Sequence, residues 1–294
     1  MAETNGAERN EYVQALPSPA LRPFVAWYGG YRQQGLPPGR HRGLPSPYLT
    51  LIVTFDEPLV IAAHPDPAQP ASRHDTLLGG LHTSPALIEH DGRQAGVQVS
   101  LHPLGARALL GLPAGELAGL DVEADQVIGP VMHELYERVG SAATWRQRFA
   151  AIDEVLLRCI TSPAGASTAR VPCDAVAHAW MRLLAARGCL PVTQLVEETG
   201  YSPRHLSARF RTETGLTPKT AARVIRFDAV RRQLQAQASA GVTGGLADLA
   251  AAYGFYDQAH LAREFRGLAG CPPSRWLAEE VTNVQAAEVP VEAP

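Results

Sequence analysis

The chain has 294 residues, 46% of them hydrophobic, and a formal net charge of -3, so it is long enough for two domains with apolar cores while its charge singles out no class of partner. It contains no run of 18 apolar residues, and residues 1–10 are polar and acidic with neither a basic start nor an apolar centre, which excludes a membrane span and a secretory signal. The four cysteines, Cys159, Cys173, Cys189 and Cys271, form no CxxC pair and have no metal-ligand spacing, so they read as free thiols in a reducing cytoplasm.

In chain order, residues 1–11 read as a disordered leader. A first folded domain then spans residues 12–160. Prolines mix with Leu21, Phe24, Val25, Trp27, Tyr28 and Tyr31 at its start, and from Tyr48 the pattern becomes β: YLTLIVTF, PLVIAAH, TLLGGLH, then ALIEH and AGVQVSLHP around a turn at Asp91-Gly92. Short runs separated by Gly, Pro and Asp predict a small sheet or barrel. Around Leu104 the period changes to that of a helix, with a short helix ending at Gly111 and longer amphipathic ones over 130–139 and 144–160, the last opened by a Thr144/Gln147 capping box. The stripes Met132, Leu135, Val139 and Phe149, Ile152, Leu156, Ile160 read as core before interface.

Residues 161–172, TSPAGASTARVP, have the composition of a linker. Residues 173–280 then contain one pattern twice: LPVTQLVEETGYSPRHLSARFRTETGLTP and GLADLAAAYGFYDQAHLAREFRGLAGCPP. In each, a short helix stops at a glycine, Gly200 or Gly254, and a second helix starts at a capping residue, Ser202 or Asp257. Leu206 and Phe210, like Leu261 and Phe265, are i,i+4 pairs that face inward. Outward go Arg204, His205, Ser207, Arg209 and Arg211 in the first unit, and Gln258, Ala259, His260, Ala262, Arg263 and Arg266 in the second. These include the residue types that bond base edges and phosphates from a helix in the major groove. A helix over 219–237 joins the units; about 18 residues span roughly 27 Å, of the order of the ~34 Å between successive major-groove faces. Residues 174–278 hold 13 Lys and Arg against 8 Asp and Glu, so positive charge sits where the repeats do. Lys219 is the only lysine, which leaves phosphate contacts to arginine, hydroxyls and backbone amides. Residues 281–294 read as a disordered tail.

Carried by GYSPRHLSARFRTETGLTP, RFDAVRRQL and AAYGFYDQAHLAREFRGLAGCPPSRW, residues 174–276 resemble the DNA-binding domain of the AraC/XylS family of bacterial transcription regulators. The resemblance implies seven helices in two helix-turn-helix subdomains, with base contacts from Arg204, Ser207 and Ala208 and from Gln258, Ala259, His260 and Arg263. Ala208 and Ala259 depart from the long polar residues often found there, so methyl contacts or no readout are expected at those steps. It also implies a cupin-like, ligand-sensing first domain, followed by helices through which relatives dimerise, and contact with RNA polymerase. The expected fold is thus an α+β domain, a small cupin-like barrel or sheet with helices, followed by an all-α domain of two helix-turn-helix units on a long helix.

The expected protein binds double-stranded promoter DNA in the cytoplasm, at the nucleoid, with a small-molecule effector and a homodimer as further partners and with no cofactor or metal. By residue type, Trp27, Tyr28, Tyr31, Arg40, His41, Arg42, Tyr48, His82, Glu89 and His102 are candidates to line a sensor pocket, although Arg40-His41-Arg42 reads first as a solvated loop. Two enzymatic alternatives stand beside this reading. A metal-dependent cupin would need a ligand pattern that is absent, since His41, His64, His74, His82, His90, His102 and His133 stand singly, without HxH or HExxH. An alkyl-accepting repair protein would need an activated thiol, and no electropositive cluster flanks Cys159 or Cys173 in sequence. A pure dimerisation scaffold is the third alternative.

Overall fold

The computed structural model describes residues 9–161, 172–242 and 244–280. The linker over 162–171, the tail over 281–294 and the leader over 1–8 lie outside the described residues. One correction falls at the start: strand β1 (Arg9–Ala15) begins inside the stretch read as leader and pairs along β2 (Val25–Gln34).

The first domain has three layers. A six-stranded antiparallel sheet runs in the order β1, β2, β9 (Gln94–Leu101), β4 (Leu49–Thr54), β7 (Thr76–Gly79) and β10 (Asp121–Glu123). A four-stranded sheet, β3 (Gly39–Gly43), β8 (Ala86–His90), β5 (Leu59–Ala63) and β6 (Ser72–His74), packs beside it. No described strand joins the two sheets, so the domain is an open sandwich instead of a closed barrel. The turn at Asp91-Gly92 therefore does not make a hairpin: β8 pairs with β3 and β5, and β9 pairs with β2 and β4.

Strand alternation decides which layer each side chain enters. Leu49, Leu51 and Val53 of β4, with Val97, Val99 and Leu101 of β9, join the core under the helices. The interleaved Ile52, with Leu77, Leu59, Ile61, Ala86 and Ile88, fills the space between the sheets. Helices α1 (Ala106–Leu110), α2 (Asp125–Ile128), α3 (Val131–Ser141) and α4 (Trp145–Thr161) cover the larger sheet. Both apolar stripes read from the sequence lie in this core, so the faces of α3 and α4 that carry them are filled from within the chain. The Thr144/Gln147 box forms as expected, with Gln147 Oε1 accepting from the Thr144 amide at 3.1 Å and Thr144 Oγ1 from the Gln147 amide at 3.3 Å. Tyr28 donates its hydroxyl to Asp153 at 2.6 Å, tying β2 to α4.

The strand β3 corrects another expectation. Residues Arg40-His41-Arg42 are not a solvated loop but a strand paired to β8, with His41 buried and Arg40 bonded to Glu89 across the pair. The histidines also meet. His64 bonds Asp121 through Nδ1 at 2.8 Å and Ser72 through Nε2 at 2.8 Å; Ser72 bonds His74 Nε2 at 2.7 Å; His74 Nδ1 bonds Glu123 at 2.9 Å. This chain crosses from the β5–β6 edge of one sheet to β10 of the other. Ser72 stands between two imidazoles with its hydroxyl engaged by both, and the arrangement holds the two sheet edges together.

The second domain has the seven expected helices: α5 (Asp174–Ala185), α6 (Val192–Thr199), α7 (Pro203–Thr214), α8 (Pro218–Ser239), α9 (Leu246–Ala252), α10 (Gln258–Ala269) and α11 (Pro273–Glu280). One core joins them, built on Trp180, Leu195, Leu206, Phe210, Phe227, Leu261, Phe265 and Trp276. The joining helix α8 has 22 residues, longer than the sequence suggested and roughly 33 Å in extent. It is buried around much of its circumference because α5, α7, α10 and α11 all pack on it.

Candidate nucleic-acid interface

Both helix-turn-helix units close as the sequence indicates. Gly200 and Gly254 adopt φ of 68° and 69°, the left-handed turn that a side chain would strain. Ser202 accepts the His205 amide at 3.3 Å, and Asp257 accepts the His260 amide at 2.6 Å, so each second helix starts from a side-chain cap. The inward pairs are buried: Leu206 and Phe210 in α7, Leu261 and Phe265 in α10.

That packing leaves an exposed face on each helix. Arg204, His205, Ala208, Arg209 and Arg211 are exposed on α7; Gln258, Ala259, Arg263 and Arg266 are exposed on α10. Three of the residues expected outward, Ser207, Ala262 and His260, are only half-exposed. Local contacts occupy the two histidines. His205 stacks on Tyr201 with ring centroids 4.4 Å apart, and His260 Nδ1 accepts the Tyr256 amide at 3.2 Å while its ring meets the edge of Phe255.

The structure adds residues that the pattern did not single out. Arg223 of α8 bonds Glu264 of α10 at 2.7 Å, and Arg226 lies over the Phe255 ring, so the joining helix grips the second unit directly. Asp228 is buried between Arg231 and Arg232 at 2.7 and 2.8 Å; burial opposes its ionisation, but the two guanidiniums outweigh it and hold its carboxyl below the usual range. Tyr256 stands 93% exposed immediately before the α10 cap.

Cys173 corrects the reading of the thiols. Burial alone would raise its pKa, but the Tyr201 hydroxyl, the amides of Val176 and Ala175 at the start of α5, and Arg209 together bring it below the ordinary thiol range. Burial pushes Cys159 and Cys271 up instead. At neutral pH a larger thiolate fraction is expected at Cys173, so iodoacetamide followed by peptide mass analysis should modify Cys173 several times faster than Cys159 or Cys271. Equal rates at the three would contradict this ordering.

The helical domain docks on the sheet domain at several points. Arg107 of α1 makes two bonds to Glu213 near the end of α7, at 2.7 and 3.0 Å. Arg42 of β3 bonds Glu279 at 2.6 Å and Glu280 at 3.0 Å, both on α11, and Arg232 lies over Trp27 and Tyr48. Beside this junction is a cavity of about 100 Å³ between the two sheets. Of the sensor candidates, Arg42 and His82 line it, and Arg231, Trp276 and Glu280 of the helical domain contribute to its wall. Trp27, Tyr28, Tyr31, Tyr48 and His102 do not; Trp27 and Tyr28 pack instead against Tyr48 and Phe149.

Comparison with known proteins agrees with this architecture. Residues 195–279 match the family described as helix-turn-helix domain, and residues 13–123 match a domain of unknown function, DUF6597. No curated protein sequence matches the chain. Among solved structures, ToxT from Vibrio cholerae is similar in fold at 10% identity, with a TM-score of 0.50 over 86% of this chain and 97% of that one. An unsaturated fatty acid-bound form of the same Vibrio cholerae protein is similar at 8% identity and a TM-score of 0.50, over 90% of this chain and 97% of that one. A form bound to (E)-4-(8-methylnaphthalen-1-yl)but-3-enoic acid is similar at 10% identity and a TM-score of 0.50, over 86% and 98%. With two capped, exposed second helices on one buried spacer and the helix-turn-helix family match over residues 195–279, the chain carries a helix-turn-helix domain, and its fold is a sheet-rich domain followed by a helical domain with two helix-turn-helix units.

Proposed function

We propose that the protein is a sequence-specific regulator of transcription, acting by binding and not by catalysis, whose helices α7 and α10 enter successive major grooves of one operator. The observation that carries this is the paired exposed face: Arg204, Arg209 and Arg211 on one helix, Arg263 and Arg266 on the other, each backed by a buried apolar pair. Arg204 and Arg263 read bases, because a guanidinium matches the O6 and N7 acceptors of guanine. Ser207, Gln258 and His260 add base-edge contacts, and Ala208 and Ala259 offer methyl contacts. His205, Arg209, Arg211 and Arg266 hold phosphates and set the register. The functional division follows the same lines: residues 12–160 sense and 173–280 read, joined by 161–172.

We further propose control by a small molecule in the amino-terminal domain. The intersheet cavity shares wall residues with the helical domain, so an occupant is felt by the reader without a long path. ToxT, whose fold this chain shares, has been solved with acids bound. A homodimer and a contact with RNA polymerase in the cytoplasm belong to the same reading. Because the apolar stripes of α3 and α4 already fill the chain's own core, a second copy would meet it elsewhere.

The test is binding of the full-length protein to its own upstream DNA and to a random duplex of equal length at two salt concentrations. A preference for the upstream DNA that persists at the higher salt is expected. Binding that is equal on both duplexes and collapses with salt would contradict sequence-specific regulation.

A further inference from the structure

The cavity between the sheets contains several charged groups, and their partners differ in a way that selects a ligand. Arg42 is matched twice over, by Glu279 and by Glu280, whose Oε1 also accepts the Arg42 backbone amide at 3.0 Å. Arg231 is matched by Asp228 at 2.7 Å. An acidic ligand would therefore have to displace carboxylates that are part of the fold.

Asp121 is in the opposite position. Its side chain is 8% exposed, and Oδ2 takes the His64 bond. Oδ1 has no hydrogen-bond partner among the described residues, and it lies 2.8 Å from where a Cβ on Gly79 would stand. Gly79 and Asp121 both line the cavity, so the absent side chain at Gly79 is what leaves Oδ1 open to it. His82, also in the wall, does not supply a compensating charge. Its Nδ1 donates to the Ser84 carbonyl at 2.6 Å, and burial lowers its pKa. The remaining walls are aliphatic, from Ile52, Ile61, Leu77 and Ile88.

A carboxylate oxygen that faces a cavity with no protein donor on it can take its donor from an occupant, and a charged donor is its strongest complement. Resting on the effector reading above, we propose that this cavity is a site for a short aliphatic ammonium, with its nitrogen on Asp121 Oδ1 and its alkyl chain between the sheets. Size agrees: a cavity of 150 Å³ holds benzene, so about 100 Å³ suits about four or five heavy atoms. The ligand class thus differs from the unsaturated fatty acid bound in the fold relative.

The experiment is isothermal titration of the full-length protein with n-butylamine, protonated at neutral pH, against butan-1-ol, butanoate and an unsaturated fatty acid. It is repeated on Asp121→Asn, in which the amide oxygen can still accept from His64, and on Gly79→Ala, whose Cβ would stand 2.8 Å from Oδ1 and so pushes it aside or blocks it while keeping the charge. Butylamine is expected to bind the parent protein at least about tenfold more tightly than butanol, and to lose about tenfold in each variant, with circular dichroism unchanged. Butylamine binding no better than butanol, or binding equally in both folded variants, overturns the proposal. Preferred binding of butanoate or the fatty acid overturns the ligand class and leaves the effector reading standing. Silence from all four probes overturns both.

Discussion

Replacing Arg204 by alanine is expected to weaken operator binding by about 1–3 kcal/mol, the worth of one bidentate guanine contact, and to relax the preference at a single base step. Arg204 is the second residue of α7, exposed, in the turn that follows the Ser202 cap. Recognition helices present their amino-terminal residues to base edges, and the proposed base contact of Arg204 rests on that placement. Arg266, exposed in the last turn of α10, supplies the comparison. Its replacement by alanine should weaken operator and random duplexes alike and lower the slope of log affinity against log salt by about 0.9, the signature of one lost phosphate contact. Titration of both variants on both duplexes over a range of salt separates the two behaviours. If Arg204→Ala lost equal affinity on operator and random DNA, its assignment as a base reader would be wrong.

That prediction could be framed because the reader is built from local signals. Ser202, Pro203, Gly200, Asp257 and Gly254 act within a few residues of themselves, so their effect is legible in the order of the chain. The sheet domain is less legible for a physical reason. Strand β3 is Gly-Arg-His-Arg-Gly, which reads as a loop; it becomes a strand through β8, more than forty residues away, and is covered by α11 from the other domain. Strands β6 and β10 have three residues each, too few for an alternation to show. His64, Ser72, His74, Asp121 and Glu123 look scattered because what joins them is strand register, and Asp121 enters the cavity wall only once β10 pairs with β7. The thiol of Cys173 is similar: the hydroxyl and guanidinium beside it come from Tyr201 and Arg209, across a turn of the fold that spacing alone does not show.

The contact between Arg107 and Glu213 is the clearest case of such non-local information, and breaking it should have the largest effect on stability. Glu213 is 5% exposed and follows Arg204, the proposed base reader of α7, by more than two turns; Arg107 comes from the short helix beyond the sheets. Beside them Gly115 lies so close that a Cβ on it would stand 2.3 Å from the Thr212 carbonyl oxygen, so the end of the recognition helix is sealed against the sheet domain. Arg107→Ala leaves an acid buried in that seal without its cation, and a loss of about 3 kcal/mol is expected, the lower end for breaking a buried pair because Arg107 keeps some exposure. Glu213→Gln introduced into Arg107→Ala removes the stranded charge and should recover much of the loss, since the penalty lies in the uncompensated carboxylate and not in the pair itself. Urea unfolding of the single and double variants measures this directly. DNA titration of the same proteins shows whether the seal sets the pose of α7: affinity should change in Arg107→Ala and return in the double variant, although no base-facing residue has been altered. A single variant within about 0.5 kcal/mol of the parent protein, the range of an ordinary surface substitution, would show that the sheet domain does not hold the reader through this pair.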